Sequence, residues 1–208
     1  LAVGFASFAL SSMWVNYEQS YDAFHDGADR VYVASVSSVF YTGGNSIITS
    51  PLLAPHLVKT FPEIEAATYN NFTTEFNDEQ SRHWKMISVD SAFISIFPIT
   101  VLEGSLQFLH NTADEVAISD KAARLLFGDE SPIGKEYPFN KKLIITAVVQ
   151  EWKGHSNYDF DVISRRPTPQ YQEWGYAAGT TLFRVVPGAD IDALRKKLEN
   201  MEVDMDGN

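Results

Sequence analysis

The sequence predicts an α+β fold, and three observations support this prediction. Segments with strand-like and helix-like patterns follow the order β-α-β-β-α-β-α-β-β-β-α, so that strands are grouped and helices are interspersed. A doubly wound α/β fold would instead alternate strands and helices regularly. The 208 residues, 45% hydrophobic and 13% aromatic, suffice to bury a core in one large domain or two small subdomains.

The N-terminal segment, residues 1–15 (LAVGFASFALSSMWV), carries no charge. Because a membrane-spanning helix needs about 20 apolar residues, we interpret residues 1–17 as the C-terminal part of a transmembrane helix. The first residue is Leu, which favours a fragment of a longer chain. The alternative is a buried core helix. Four carboxylates precede the first basic residue, Arg30: Glu18, Asp22, Asp26 and Asp29. Since Lys and Arg favour the cytoplasmic flank of a membrane helix, this order places the following domain outside the cytoplasm.

Over residues 31–97, residue patterns predict three strands and two helices. Apolar residues alternate with small or polar ones over residues 31–39, which is typical of a half-buried strand. Ser50 and Pro51 form a helix-start signal, an N-cap hydroxyl followed by proline, and Pro62 ends the helical spacing. The other predicted elements are strands over residues 63–76 and 83–89, and a short helix from residue 90 or 91 to 97.

In the second half, local cap residues predict two further helices. Ser119 is predicted to cap a helix over residues 120–127, which Gly128 ends. Asp190 is predicted to cap the last helix, with Ile191, Leu194 and Leu198 on one face. The remaining predictions are strands over residues 115–118, 143–149, 154–164 and 180–186, and a linker-like break over residues 165–169.

The chain carries no recognisable catalytic, cofactor or metal motif. Its lack of cysteine excludes disulfides, thiolate zinc sites and Cys nucleophiles. The five histidines are scattered, without a second His at ligand spacing. The net charge of −11 argues against broad nucleic-acid binding, which needs Lys and Arg to neutralise phosphates. We therefore expect no catalytic residue, no cofactor and no metal site.

Three local patterns allow a functional alternative. Ser119-Asp120-Lys121 contains a Ser/Lys pair, but a helix cap explains it more simply. Residues 202–207 match half of a calcium loop, which we interpret as a solvated tail because the bidentate Glu is missing. Residues 71–73 match the N-glycosylation sequon, a pattern that is common by chance.

A sharper signal lies in residues 17–32. Its core is Ser20-Tyr21-Asp22 with Phe24 and His25, and the segment ends in the sequence ADRVY. This pattern resembles the junction between the first transmembrane helix and the extracytoplasmic domain of FtsX/MacB-type ABC transporter permeases, especially those of the Bacteroidetes kind.

Further segments resemble the same family, in the same order, over nearly the whole chain. They are residues 51–55, 61–64, 89–97, 102–104, 116–119, 122–123, 127–130, 132–135, 145–149, 155–161 and 186–190. Val33 departs from the family pattern, in which Arg is frequent at this position, and residues 79–84 are particular to this chain. These departures leave the permease subgroup open.

The resemblance implies a MacB-like periplasmic core domain. Its fold would be a mixed α/β porter-like subdomain built from residues 26–76 and 143–200. A second, β-rich subdomain would be inserted at residues 77–142, and the end of the transmembrane helix would precede both.

The resemblance also implies a function without enzymatic activity or a cofactor. In this family, a separate ATP-binding subunit or domain hydrolyses ATP, and a permease dimer in the bacterial inner membrane transmits the motion to the periplasm. The implied roles are efflux, export and lipoprotein work, with a periplasmic adaptor or lipoprotein as a further partner. The alternative is an FtsX-like interaction module that regulates a cell-wall hydrolase. A hydrolase activity of the domain itself would need a catalytic set that the sequence lacks.

The same resemblance places a joint between membrane helix and domain at Ser20, Tyr21, Asp22, Phe24 and His25. We expect Tyr21 and Phe24 to pack against the body and Asp22 to cap or brace the turn. The alternative is ordinary packing at a helix end.

Overall fold

The computed structural model describes residues 2–37, 44–70, 74–166 and 174–201. Several sequence predictions lie partly or wholly outside these residues. They include the first residue of the predicted membrane helix, the end of the first predicted strand, residues 71–73 of the strand predicted over residues 63–76 with the sequon there, the linker-like break beyond residue 166, and the acidic tail at residues 202–207.

Six helices and twelve strands make up the described part of the chain. In chain order they are α1 (Ala2–Gln19), β1 (Val31–Val33), β2 (Val36–Ser37), β3 (Asn45–Ser46), α2 (Leu53–Thr60), β4 (Ile64–Asn70), β5 (Thr74–Asn77), β6 (His83–Val89), α3 (Phe93–Ile96), β7 (Val101–Gly104), α4 (Phe108–Asn111), β8 (Glu115–Ser119), α5 (Asp120–Phe127), β9 (Glu136–Tyr137), β10 (Asn140–Val149), β11 (Val162–Arg165), β12 (Thr180–Val185) and α6 (Ile191–Glu199). A single 3-10 turn, Ala28–Arg30, precedes β1.

Helix α1 is exposed to solvent over almost its whole length. Six large apolar side chains on it are 66–81% exposed: Val3, Phe5, Phe8, Leu10, Met13 and Trp14. The alternative of a buried core helix is therefore wrong. Among the described residues, no helix combines the length and the apolar character that crossing a membrane requires.

The smaller sheet is antiparallel, in the order β1–β12–β4. Helix α2 packs on β4 and β12. The core between helix and sheet contains Leu57, Phe61, Ile64 and Phe183, and Leu194 of α6 adds to it. Strands β2 and β3 form a separate two-stranded antiparallel sheet.

The larger, seven-stranded sheet has the order β5–β6–β11–β8–β10–β7, with β9 also paired to β10. Strands β8 and β10 are parallel and α5 connects them, which is the arrangement of a βαβ unit. Strand β11 is antiparallel to β8 and parallel to β6. Mixed pairing of this kind, together with separate helices, confirms the predicted α+β class.

One core joins the two sheets. Its buried residues include Val89 and Ile163 of the larger sheet, Phe93 of α3 and Leu182 of the smaller sheet. Because these side chains exclude water together, the two sheets belong to one body. The opposite face of the larger sheet buries Trp84, Ile118 and other residues against α5.

The helices with strong local caps begin where the sequence predicts. The Ser119 hydroxyl accepts the N–H of Ala122 at 3.1 Å, and the Asp190 carboxylate accepts that of Ala193 at 2.9 Å. Helix α2 differs, because it begins at Leu53 instead of Pro51. Ser50 Oγ accepts the N–H of Leu52 at 3.2 Å, so the serine stabilises a turn ahead of the helix.

Two predicted strands differ more strongly. Residues 63–76 form two strands in different sheets, since β4 pairs with β12 and β5 pairs with β6. Of residues 154–164, only those from Val162 onward form a strand, β11. The backbone of residues 155 and 157 instead bonds to Asp22, so this part of the chain forms a loop.

The division into subdomains remains a prediction. Its second segment was placed at residues 77–142, whereas the larger sheet also contains β10, which ends at Val149, and β11. The smaller sheet takes its strands from residues 31–33, 64–70 and 180–185.

Candidate functional site

The residues predicted to form the joint lie directly after α1, and most of their contacts beyond the helix are with one segment, residues 152–158. We call this segment the 152–158 loop; it connects β10 to β11. Ser20 closes the end of the helix, because its Oγ donates to the carbonyl of Tyr17 at 2.7 Å. The four remaining predicted residues each make contacts beyond the helix.

Asp22 joins the helix end to the 152–158 loop by its backbone and its side chain. Its N–H donates to the carbonyl of His155 at 2.7 Å. Its carboxylate accepts hydrogen bonds from the Ser156 hydroxyl and from the backbone and side-chain N–H groups of Asn157, the latter two at 3.3 and 3.1 Å. Asp22 has φ +58°, a left-handed conformation that Asp tolerates better than most residues. The Asp22 side chain therefore connects the end of α1 to the 152–158 loop.

An aromatic cluster surrounds this polar contact on the side of α1. The Tyr17 and Tyr21 hydroxyls lie 3.1 Å apart, and their rings meet edge to face at 5.5 Å. The His155 ring lies 4.8 Å from Tyr17 and 5.6 Å from Tyr21. The hydrogen bond with Tyr17 raises the pKa of Tyr21 above its usual value. Tyr21 thus packs against the body through His155.

Phe24 packs on the backbone of Gly154. A Cβ atom at Gly154 would lie only 2.1 Å from Cδ1 of Phe24. The ring can therefore occupy this position, its seat, only because residue 154 has no side chain. Trp152 lies 6.1 Å from Phe24, measured between ring centroids. Phe24 nevertheless remains 41% exposed, so only one face of its ring is covered.

His25 is the buried member of the joint, at 8% exposure. Its ring lies 4.6 Å from Trp152 and 5.1 Å from Phe97. Nε2 is buried and has no hydrogen-bond partner among the described residues. Burial lowers the pKa of His25, and the nearby Asp22 charge opposes this effect only in part. The imidazole is therefore held neutral near pH 7.

The 152–158 loop is itself anchored to the core. Trp152 Nε1 donates to the carbonyl of Pro98 at 3.1 Å, and the Trp152 ring meets Phe160 at 5.1 Å. Tyr158 packs on Phe93 and Phe97, and burial raises the pKa of Tyr158 to about 12. The 152–158 loop therefore connects the end of α1 to the core that joins the two sheets.

The sequence did not identify the 152–158 loop as the other half of the joint. Asp22 and Ser156 are 134 residues apart in the chain, and no local pattern encodes such a contact. The only signal in the sequence is that residues 155–161 also resemble the family. The described residues contain no group of three His, Cys, Asp or Glu side chains that could hold a metal ion.

Comparisons with solved structures identify the same fold in extracytoplasmic domains of transporters. A domain assigned to a permease protein from Porphyromonas gingivalis matches with a TM-score of 0.66 and 20% identity, covering 83% of this chain and 82% of that one. The periplasmic region of MacB from Actinobacillus actinomycetemcomitans matches with a TM-score of 0.56 and 14% identity, covering 83% and 81%.

The extracellular domain of the noncanonic ABC-type transporter YknZ from Gram-positive bacteria matches with a TM-score of 0.55 and 14% identity, covering 82% of this chain and 94% of that one. At these identities the matches show the fold. No curated protein gives a significant sequence match. The family model of the MacB-like periplasmic core domain, however, matches residues 1–201. The chain therefore belongs to the family of MacB-like periplasmic core domains, which is a family of transporter permease domains and not of enzymes.

Proposed function

We propose that this chain is the extracytoplasmic domain of an ABC transporter permease and that it couples cytoplasmic ATP hydrolysis to export, efflux or lipoprotein work. Family membership supports the permease assignment. The coupling role rests on the joint, in which Asp22, Phe24 and His25 each contact the 152–158 loop or the core next to it.

The observation that carries this proposal is the contrast between α1 and its end. The helix exposes its apolar side chains, as a segment does whose environment is not the body of the domain. The residues that follow it are bonded to the body through a charged carboxylate, and hydrogen bonds to charged groups contribute about 1.5–3 kcal/mol. A helix that is free along its length and fixed at its end is suited to transmitting displacement.

The proposal includes the partners and the location that such coupling requires. A separate ATP-binding subunit or domain would supply the motion, and a second permease copy would complete the dimer. The body would lie in the periplasm with α1 entering the bacterial inner membrane, in accord with the acidic residues Asp22, Asp26 and Asp29 after the helix. A periplasmic adaptor or lipoprotein would be the partner on which the domain acts.

The experiment uses the full-length permease with its ATP-binding partner in proteoliposomes. In a permease whose cysteines outside this chain are replaced, Glu79→Cys provides a specific spin-label site on the body, because the chain itself lacks cysteine. We expect ATP to change the distance between the labels of the two protomers. The double variant Tyr21→Ala/Phe24→Ala should retain ATP hydrolysis while losing most of this distance change. Val58→Ala, an apolar truncation at a similar exposure of 43% on α2, is the matched control.

Two outcomes would contradict the proposal. An unchanged distance response in the double variant would show that the joint does not transmit the motion. A wild-type permease whose body does not respond to ATP would favour the FtsX-like alternative, in which the domain is an interaction module that regulates a cell-wall hydrolase.

A further inference from the structure

A crevice of about 350 Å³ lies beside the βαβ unit formed by β8, α5 and β10. Its lining includes Lys121 at the start of α5 and Glu151 directly after β10, so it is located at the carboxyl ends of the two parallel strands. Crevices at this position bind ligands in many α/β structures. The volume falls within the range of small-molecule sites, roughly 300–1,000 Å³.

The crevice combines an aromatic floor with charged walls of both signs. Phe160 and Trp152 provide the apolar surface, and Gly154 contributes backbone only. Two ammonium groups and three carboxylates line the walls: Lys85, Lys121, Glu151, Asp159 and Asp161. They come from β6, from α5, and from the segments that follow β10 and precede β11.

The ion pairs across this crevice are open, which here means that nitrogen and oxygen are further apart than in a hydrogen bond between charged groups. Lys121 Nζ lies 3.5 Å from Glu151 Oε1 and 4.0 Å from Asp161 Oδ1, and Lys85 Nζ lies 3.7 Å from Asp159 Oδ2. Charge-assisted hydrogen bonds have donor–acceptor distances of about 2.7–2.9 Å, so these pairs are too long to be such bonds. These side chains therefore keep donor and acceptor positions available to a third group.

Ion pairs on the neighbouring surface behave differently. Arg124 and Asp120 approach to 2.9 Å, and Lys135 and Glu130 to 2.6 Å. The longer distances therefore distinguish the crevice pairs from these two pairs beside α5.

The Asp161 carboxylate of the crevice is held in place before any ligand binds. Asp161 Oδ2 accepts the N–H of Lys85 at 2.9 Å, and the Asp161 N–H donates to the carbonyl of the same residue at 2.8 Å. The side chain is only 13% exposed, and its other oxygen points toward Lys121. A preorganised acceptor of this kind lowers the entropic cost of binding an ammonium group.

We propose that this crevice binds a zwitterion with an apolar body, the chemistry of a free amino acid or a short peptide. Asp161 and Glu151 receive the ligand ammonium group, Lys121 and Lys85 receive the carboxylate, and the apolar part lies on Phe160. Both charges of the ligand replace the open ion pairs, so no buried charge is left without a partner. This site does not depend on the coupling role of the joint.

The test titrates the ¹⁵N-labelled chain in detergent, which covers α1, with matched probes and follows amide chemical shifts. L-phenylalanine carries both charges, phenethylamine only the ammonium group, and 3-phenylpropionate only the carboxylate. We expect saturable shifts at Gly154 and Asp161 with L-phenylalanine, and roughly tenfold weaker binding of either single-charge probe, because each leaves partners unmatched. Alanyl-phenylalanine, with its charges further apart, distinguishes a peptide site from an amino-acid site.

The variant Lys121→Gln should weaken binding of L-phenylalanine toward the level of phenethylamine. Its side chain is 63% exposed, so the thermal midpoint should not change. Lys135→Gln, which opens a closed pair outside the crevice, is the matched control and should bind as wild type. Equal shifts with all three probes, shifts away from the crevice, or unchanged binding by Lys121→Gln would each overturn the proposal.

Discussion

Asp78 shows how one carboxylate organises the turn between β5 and β6. Its Oδ1 accepts the N–H groups of Gln80 and Arg82, both at 2.9 Å. Its Oδ2 accepts Nε1 of Trp84 at 2.9 Å and Nε of Arg82 at 2.5 Å. The turn and the buried Trp84 are therefore both held by Asp78.

The pH dependence of this turn follows from its pKa. Burial alone would raise the pKa of Asp78, but the hydrogen bonds from Trp84 and Arg82 outweigh burial and lower it to about 2. Because the folded value lies below that of the unfolded chain, near 3.9, the stabilisation is complete above about pH 4 and is lost as the pH falls toward 2. We expect Asp78→Asn to lower the thermal midpoint at pH 7 and to flatten its decline between pH 4 and 2.

Calorimetry at a series of pH values measures both effects. Asp192→Asn is the control, because the Asp192 side chain is 86% exposed on α6 and should change neither quantity. A variant at position 78 with the wild-type decline in acid would contradict this explanation.

His25 predicts a second pH effect at a higher pH. Since burial lowers its pKa in the folded state, folding favours the neutral ring. Stability is therefore complete above the ordinary value of about 6.5 and falls as the pH decreases through the lower folded value. In His25→Phe, which keeps an aromatic ring against Trp152 and Phe97, the loss of thermal midpoint between pH 7.5 and 5 should be smaller than in wild type.

The exposed His110 supplies the control for this measurement. His110→Gln should leave the difference between the midpoints at pH 7.5 and pH 5 unchanged. If both variants behaved like wild type, another group would account for the pH dependence in this range.

The 152–158 loop provides the hydrogen bonds to Asp22 and the backbone on which Phe24 packs at the end of α1. In Gly154→Ala, the new Cβ would occupy the space of the Phe24 ring, so we expect the ring to leave its seat. The Asp22 N–H, which donates to His155 at 2.7 Å, should then exchange with solvent faster. Hydrogen exchange at the Asp22 amide is the measurement.

A double-mutant cycle separates this contact from a general disturbance. In the background of Phe24→Ala, Gly154→Ala should have little further effect on exchange, because the clashing ring is absent. Gly44→Ala, with no atom within 4 Å of the added Cβ, is the control. Equal effects of Gly154→Ala in both backgrounds would exclude the ring contact as the cause.

Elements with local signals were predictable from the sequence, and elements with long-range partners were not. Helices α5 and α6 begin at capping residues whose bonds span three positions, Ser119 with Ala122 and Asp190 with Ala193. The separation of β4 from β5 depends on pairing with β12 and β6, which a continuous β-rich segment does not encode. Likewise the sequence singles out residues 20–25 as a joint, which stays a prediction, but it does not identify the 152–158 loop that these residues contact.

In the whole molecule, Asp90 connects the two sheets at a polar point beside the shared core. Its carboxylate accepts the hydroxyl of Thr68 in β4 at 2.7 Å and Nη2 of Arg166, just after β11, at 3.3 Å. The same Arg166 guanidinium lies 4.7 Å above the ring of Tyr69. Since these contacts cross between the sheets, the body should respond to a force on α1 as one unit.

The exposed apolar surface of α1 determines how the isolated chain behaves in water. Contiguous apolar patches above a few hundred Å² drive association. We therefore expect the chain to self-associate in the absence of detergent and to elute as a monomer when Phe5, Phe8 and Leu10 are all replaced by Ser. Size-exclusion chromatography with light scattering measures the mass. Val58, Leu102 and Leu125 are 43–54% exposed on the body, and their replacement by Ser should leave the association unchanged. A wild-type chain that is monomeric in water would show that the apolar side chains of α1 need no covering partner.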